Sequence, residues 1–322
     1  MTQLFWRLVS SILSCLQRCS AVVVALLCPA VLSADPIKVA TFNLLHGGVF
    51  SGVTGDDQNL EHRLEMVVAE FQKHHLDIIG IQEASSSRRR GNTAARLAAA
   101  LGFHYVYAPA SFRIFRNEYV DTFVSWLMNF DEGPAIISRF PITAWETHDL
   151  PRCGRLTDPR VLLAATVRTP QGPVLVASTH TSGDPCQHQH VVEILRRMRG
   201  NVPALVMGDF NASEHSPAMA MFTREHGFID AYRMRNRNLP GATCYQRPFA
   251  ATQTASRRID YLFVISEKAA TEQIHTSKVF LDAPRQLPNG QTLWPSDHYG
   301  VFAEVSIFSQ GTIREVGNTA GQ

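Results

Sequence analysis

The chain has little net charge, few cysteines and no internal repeats. Of its 322 residues 30 are basic and 28 acidic, and Arg7 and Arg18 fall in an N-terminal segment that reads as a leader, so the remainder balances at 28 of each sign. That balance argues against a protein that holds nucleic acid mainly by neutralising phosphates, without excluding nucleic acid as a substrate. Three of the six cysteines, Cys15, Cys19 and Cys28, lie in the leader. The others, Cys153, Cys186 and Cys244, match no zinc spacing and sit in no nucleophile motif, which leaves inert thiols or one bridge, Cys153 with Cys186. With no linker, repeat or low-complexity stretch, residues 35–310 read as a single large domain and 311–322 as a loose tail without apolar periodicity.

The leader begins basic. The run Ala21–Leu32 is apolar and the small residues Ser33 and Ala34 close it. This pattern is similar to a secretory signal over residues 1–34, cleaved near Ala34, and predicts a secreted or periplasmic protein with no transmembrane anchor after cleavage. Pro29 and a run shorter than the roughly 20 residues of a spanning helix argue against a retained anchor.

The informative pattern downstream is apolar runs of strand length that stop on polar groups. Leu205-Val206-Met207-Gly208 is followed by Asp209 and Asn211, which leave one strand end on the same side. Lys38–Phe42 leads to Asn43, Leu76–Ile81 to Gln82-Glu83, and Val174–Thr179 to His180. Asp260 opens the run Tyr261–Val264, and Asp297-His298 precedes the closing strand Val301–Ile307. Leu60, Leu64, Val67, Val68 and Phe71 recur at helical spacing, Asn92 to Gly102 reads as a capped helix, and Pro170-Gln171-Gly172 reads as a hairpin turn. Strands and helices alternate in two runs, which predicts an α/β (α+β) four-layer sandwich of two packed mixed β-sheets flanked by helices.

Two stretches stand apart. Phe115, Tyr119, Phe123, Trp126 and Phe130 crowd the segment Phe112–Phe130, where ordinary helix packing is expected and a substrate cleft or a lipid surface is the alternative. Arg88-Arg89-Arg90 reads as a solvated loop, with phosphate contact as the alternative. His46, His62, His74, His75, His188 and His190 belong to no motif and read as surface or packing residues.

If the strand-end acids share one cleft, they repel unless a divalent cation neutralises them, and oxygen donors without thiolates suit Mg²⁺, Mn²⁺ or Ca²⁺ better than zinc. The ordered stretches Thr41-Phe42-Asn43, Ile81-Gln82-Glu83, Thr179-His180, Gly208-Asp209-Phe210-Asn211, Arg258-Ile259-Asp260-Tyr261 and Ser296-Asp297-His298 resemble the motifs of the endonuclease/exonuclease/phosphatase superfamily. The resemblance spans Lys38 to Ile307. It implies a Mg²⁺-dependent phosphoesterase in which Glu83 is the principal metal ligand with Asn43 and Asp297 near the metal. It also implies that Asp209 orients or deprotonates water, Asn211 holds a phosphate oxygen, His298 paired with Asp260 stabilises charge or protonates a leaving group, and His180 contacts phosphate or acts as acid. Leu45 departs from those members that carry an acid two residues after the first Asn, which weakens an abasic-endonuclease reading. The implied substrate is a phosphodiester in DNA, a phospholipid or a small molecule. A phosphomonoesterase of the same superfamily and a non-catalytic binding module are the alternatives.

Overall fold

The structure is a computed structural model that describes residues 35–46, 58–110, 115, 117–153, 159–245, 248–252, 254–266 and 273–307; the leader and tail expected from the sequence lie outside them. One mixed sheet runs in the order β12 (Ile274–Phe280), β15 (Gly300–Val305), β1 (Ile37–Asn43), β2 (Ile78–Ser87), β5 (Asp131–Ser138), β4 (His104–Tyr107), with β3 (Gly91–Asn92) folded onto β2. The second runs β10 (Ile229–Asp230), β11 (Asp260–Ile265), β9 (Ala204–Asp209), β8 (Gly172–His180), β7 (Val161–Thr169), β6 (Ile142–Asp149). A small ribbon pairs β13 (Arg285–Gln286) with β14 (Thr292–Leu293).

Three apolar clusters make four layers of these elements. Val39, Ile136, Leu163, Val176, Leu205, Met207 and Leu262 form the core between the sheets. Helices α1 (Leu60–Lys73) and α2 (Thr93–Leu101) cover the first sheet through Leu60, Leu64, Phe71 and Leu97. Helix α4 (Pro185–Arg199) and the short α5 (Pro217–Ala220), which runs on into a π-helical turn, cover the second through Val191, Leu195 and Phe222. Helix α3 (Glu118–Met128) follows β4, and α6 (Ala231–Arg235) follows β10. Because both faces of the central strands are covered, β9 opens on the unbroken apolar run Ala204-Leu205-Val206-Met207 and not on an alternating pattern. The sheets approach closely at Gly80, where an added Cβ would lie 2.8 Å from that of Met207.

The expected α/β sandwich, the capped helix at Asn92 and the hairpin at Pro170-Gln171 are all present, the last joining Thr169 to Gly172. Asn92 accepts from Ala95 N–H, and Gly102 ends the helix at φ 71°. The bridge Cys153–Cys186 ties the loop after β6 to the first turn of α4, with Cα atoms 6.2 Å apart, and leaves Cys244 free.

Two readings need correction. Glu83 does not end its strand: β2 continues to Ser87, and a bulge between Ile81 and Ala84 turns Glu83 out with φ 54°. The aromatic helix does not pack in the ordinary way. Phe115, Tyr119, Phe123 and Trp126 are exposed, because α3 turns its apolar stripe to solvent.

Candidate active site

Strand register collects the polar ends. Asn43 pairs with Gln82 across the parallel β1 and β2, His180 with Asp209 across the parallel β8 and β9, and Asp209 with Asp260 across the antiparallel β9 and β11. Gly208 permits this at β9, since a Cβ there would meet the Thr179 carbonyl at 2.3 Å. All eight residues singled out for the site lie in this one region. Asn43 links the two sheets, donating from Nδ2 to Glu83 Oε1 and to Asp209 Oδ2, each at 3.1 Å, while its Oδ1 accepts from Leu45 N–H. In this orientation Asn43 organises the two carboxylates through its nitrogen.

Asp209, Asp260 and His298 form the buried half of the site. Asp260 Oδ2 accepts from Thr243 Oγ1 at 2.6 Å and holds His298 Nδ1 at 2.8 Å. That pairing turns His298 Nε2 towards Asp209 Oδ2, 3.7 Å away. Burial alone would lower the His298 pKa, but the charges of Asp260 and then Asp209 hold it well above the usual value. Burial, reinforced by the charge of Asp260, pushes the Asp209 carboxyl up to about 7, against the pull of His298 and of the Asn211 N–H that donates to its Oδ1. The pair therefore holds an imidazolium beside an acid poised near neutrality.

His180 sits on the opposite side of Asp209, with Nε2 3.5 Å from Oδ2. Burial and then the charge of Arg160 keep its pKa well below normal, so the ring is neutral. Its Nε2 accepts from Asn211 Nδ2 at 3.0 Å, which puts the ring proton on Nδ1, 3.8 Å from Glu83 Oε1. The same Asn211 nitrogen donates to the Thr181 carbonyl, so this amide positions His180.

Glu83 and Asp297 make the other half. Burial opposes ionisation of Glu83, but His46 first, and with it the Asn43 amide, bring its pKa down to about 2. Asp297 is pushed up chiefly by burial, with the charge of Glu83 adding to it and that of His298 opposing. A carboxylate held ionised beside a second acid fits a hard divalent cation. His46, Glu83 and Glu132 also bring ligand atoms within 4.8 Å of one another. Cys153, Asp184 and Cys186 cluster as closely, but both sulfurs there are bonded to each other.

Sequence reasoning missed three residues. His46, read as a surface or packing residue, donates its N–H to Glu83 Oε2 at 3.2 Å, with its ring 3.6 Å from the same oxygen. Thr243 carries Asp260 and gave no signal. Arg63 is fully buried on α1, where it donates to the carbonyls of Gln58, Leu44, Leu45 and Pro295, so one guanidinium ties the loop after Asn43 to the loop before Asp297. A signal existed for it, a lone charge inside the stripe Leu60, Leu64, Val67, Phe71. Arg63→Met leaves those carbonyls without a donor and should destabilise by about 3 kcal/mol or more, lowering the thermal midpoint by on the order of 10 °C. An unchanged melting curve would show that the clamp is dispensable.

A cleft of about 960 Å³ is lined by Ser125, Asp131, Asp149, Arg152 and Arg160 among others, and Arg160, whose charge acts on His180, is its link to the site.

Residues 40–298 match the model of the Endonuclease/Exonuclease/phosphatase family. No curated protein matches the chain. Solved structures share the fold. A mannosyl-6-phosphatase of Bacteroides thetaiotaomicron aligns with a TM-score of 0.63 at 20% identity, covering 84% of this chain and 99% of the other. An endonuclease/exonuclease/phosphatase family protein of Leptotrichia buccalis aligns at 0.59 and 18%, covering 84% and 99%. The human Nocturnin catalytic domain with bound sulfate aligns at 0.58 and 19%, covering 86% and 95%. At such identities the likeness establishes the fold.

Proposed function

The chain belongs to the endonuclease/exonuclease/phosphatase family of metal-dependent phosphoric ester hydrolases, and from that premise we propose that it is an exported Mg²⁺-dependent phosphodiesterase. The observation that carries the chemistry is geometric: Asp260 holds His298 Nδ1 at 2.8 Å and so aims Nε2 at Asp209, 3.7 Å away, with His298 held protonated and Asp209 raised to about 7. A general base works best with a pKa near the working pH, and Asp209 meets that condition. It takes the proton of the attacking water, oriented by the Asn211 N–H and the Asn43 amide. His298, anchored from behind by Asp260, donates from Nε2 to a phosphoryl or leaving oxygen, stabilising the charge that develops there. Neutral His180 offers a further hydrogen bond to the phosphate, held in its tautomer by Asn211. Glu83 and Asp297, with Asn43 as organiser, would hold the cation, which when bound neutralises phosphoryl charge. Mn²⁺ and Ca²⁺ fit the same oxygen donors.

The diester reading is favoured by charge. Glu83, Asp209, Asp260 and Asp297 crowd the site, and a diester brings one negative charge where a monoester brings up to two. Export is supported by the Cys153–Cys186 bridge, a bond that persists in oxidising compartments. Residues 35–322 should hydrolyse an aryl phosphodiester with Mg²⁺ and stop on chelation, with the matching monoester slower. Release from the monoester alone would replace this reading with a phosphomonoesterase, and release indifferent to chelator would remove the metal from the mechanism.

A further inference from the structure

We infer that the exposed face of α3 is a docking surface for an anionic lipid bilayer. Six of the nine large apolar side chains exposed among the described residues fall in one segment: Phe115, Tyr119, Val120, Phe123, Trp126 and Leu127. Tyr119, Phe123, Trp126 and Leu127 recur at helical spacing, so they share one side of α3. A stripe of this kind ordinarily faces a core. Here the opposite side of the helix is tied down instead, by Ser125 Oγ donating to Asp131 Oδ2 at 3.1 Å. A contiguous exposed apolar patch marks an interaction site.

The charge beside the patch selects the occupant. Arg88 and Arg89 are exposed on the loop after β2, and the Arg88 guanidinium lies 5.2 Å from the centre of the Trp126 ring. Arg88 N–H and Nε both donate to Asn129 Oδ1, the residue that caps α3, so the basic loop and the aromatic helix form one surface. Aromatic rings set among arginines suit a headgroup layer, where rings enter the acyl boundary and cations meet lipid phosphates. A second copy of the chain would bring the same arginines to the same interface, whereas an anionic bilayer complements them. The surface is also continuous with the cleft: Phe130, two residues past α3, packs edge-on against His46 at 5.3 Å, and His46 reaches Glu83. Docking would therefore set the catalytic cleft at the level of the lipid phosphates.

Co-sedimentation of the purified protein with vesicles of phosphatidylcholine, alone or with an equal share of phosphatidylglycerol, tests this. Binding should favour the mixed vesicles and weaken with salt. The double variant Phe123→Ser/Trp126→Ser should bind at least about tenfold more weakly, since each buried aromatic contributes on the order of a tenfold change. Arg88→Glu/Arg89→Glu should lose the preference for the anionic lipid. In a second measurement that leaves the fold untouched, lipids brominated in the acyl chains should quench Trp126 fluorescence, and Trp126→Phe should remove that quenching. Absence of vesicle binding, binding unaltered in the aromatic variant, or self-association that the aromatic variant abolishes would each overturn the inference, the last by assigning the face to a second copy. Hydrolysis of the soluble diester reads the cleft and sedimentation reads this face, so either proposal can fail without the other.

Discussion

Asp209→Asn is expected to lower kcat/KM for a phosphodiester by about a thousandfold, the usual contribution of a positioned general base. Asparagine keeps the shape but offers one oxygen to two donors, the Asn211 N–H and the Asn43 amide, so the loss combines the proton transfer with one surrendered hydrogen bond. The same change should flatten the stability of the chelated protein against pH. The folded pKa of Asp209 is raised from 3.8 to about 7, so folding opposes its ionisation. That penalty is absent below about pH 4, grows as pH rises and is complete above about 7, where it amounts to as much as about 4 kcal/mol. The parent chain should therefore lose more of its melting temperature between pH 5 and pH 8 than the asparagine variant does. Turnover within a few-fold of the parent would remove Asp209 as base, and equal pH dependence of melting would contradict its raised pKa.

What the sequence made legible was whatever is local. Apolar runs bounded by polar side chains announced Asn43, His180, Asp209 and Asp260 at strand ends, and the register of β1/β2, β8/β9 and β9/β11 brings those ends together. The bulge that aims Glu83 was not legible, because it arises from how β2 meets β5, fifty residues downstream. His46 became a site residue only through that bulge, since the turned-out carboxylate is what its backbone and ring address. A lone histidine after a strand carries no pattern of its own. The outward turn of α3 was illegible for a related reason: spacing shows that Tyr119, Phe123 and Trp126 share a side but says nothing about what that side meets. Arg63 differs, since a charge within an apolar stripe is visible in the sequence and needs only the question of what it could neutralise or hold.

His298→Gln and Asp260→Asn should each reduce turnover by about a hundredfold to a thousandfold, and the double variant should be little worse than the weaker single. The reason is that the two act as one unit: Asp260 Oδ2 on Nδ1 fixes the ring, supports its charge and directs Nε2 at the cleft, so removing either ends the same function. Additive losses would mean that each group works separately and that the pairing is only structural. Stability supplies a readout with a definite sign. The folded pKa of His298 is raised well above 6.5, where burial alone would have lowered it, because Asp260 and Asp209 outweigh that burial. A histidine raised in this way contributes stability that is fully present below about pH 6.5 and lost as pH rises through the folded value. Chelated parent protein should accordingly weaken on the alkaline side. Asp260→Asn removes the larger source of the shift and should weaken the protein near pH 6, where the parent holds the pair charged, more than at pH 9. A variant equally destabilised at both values would show that the ring is neutral in the folded protein, and His298 could then not be the donor to the phosphoryl oxygen.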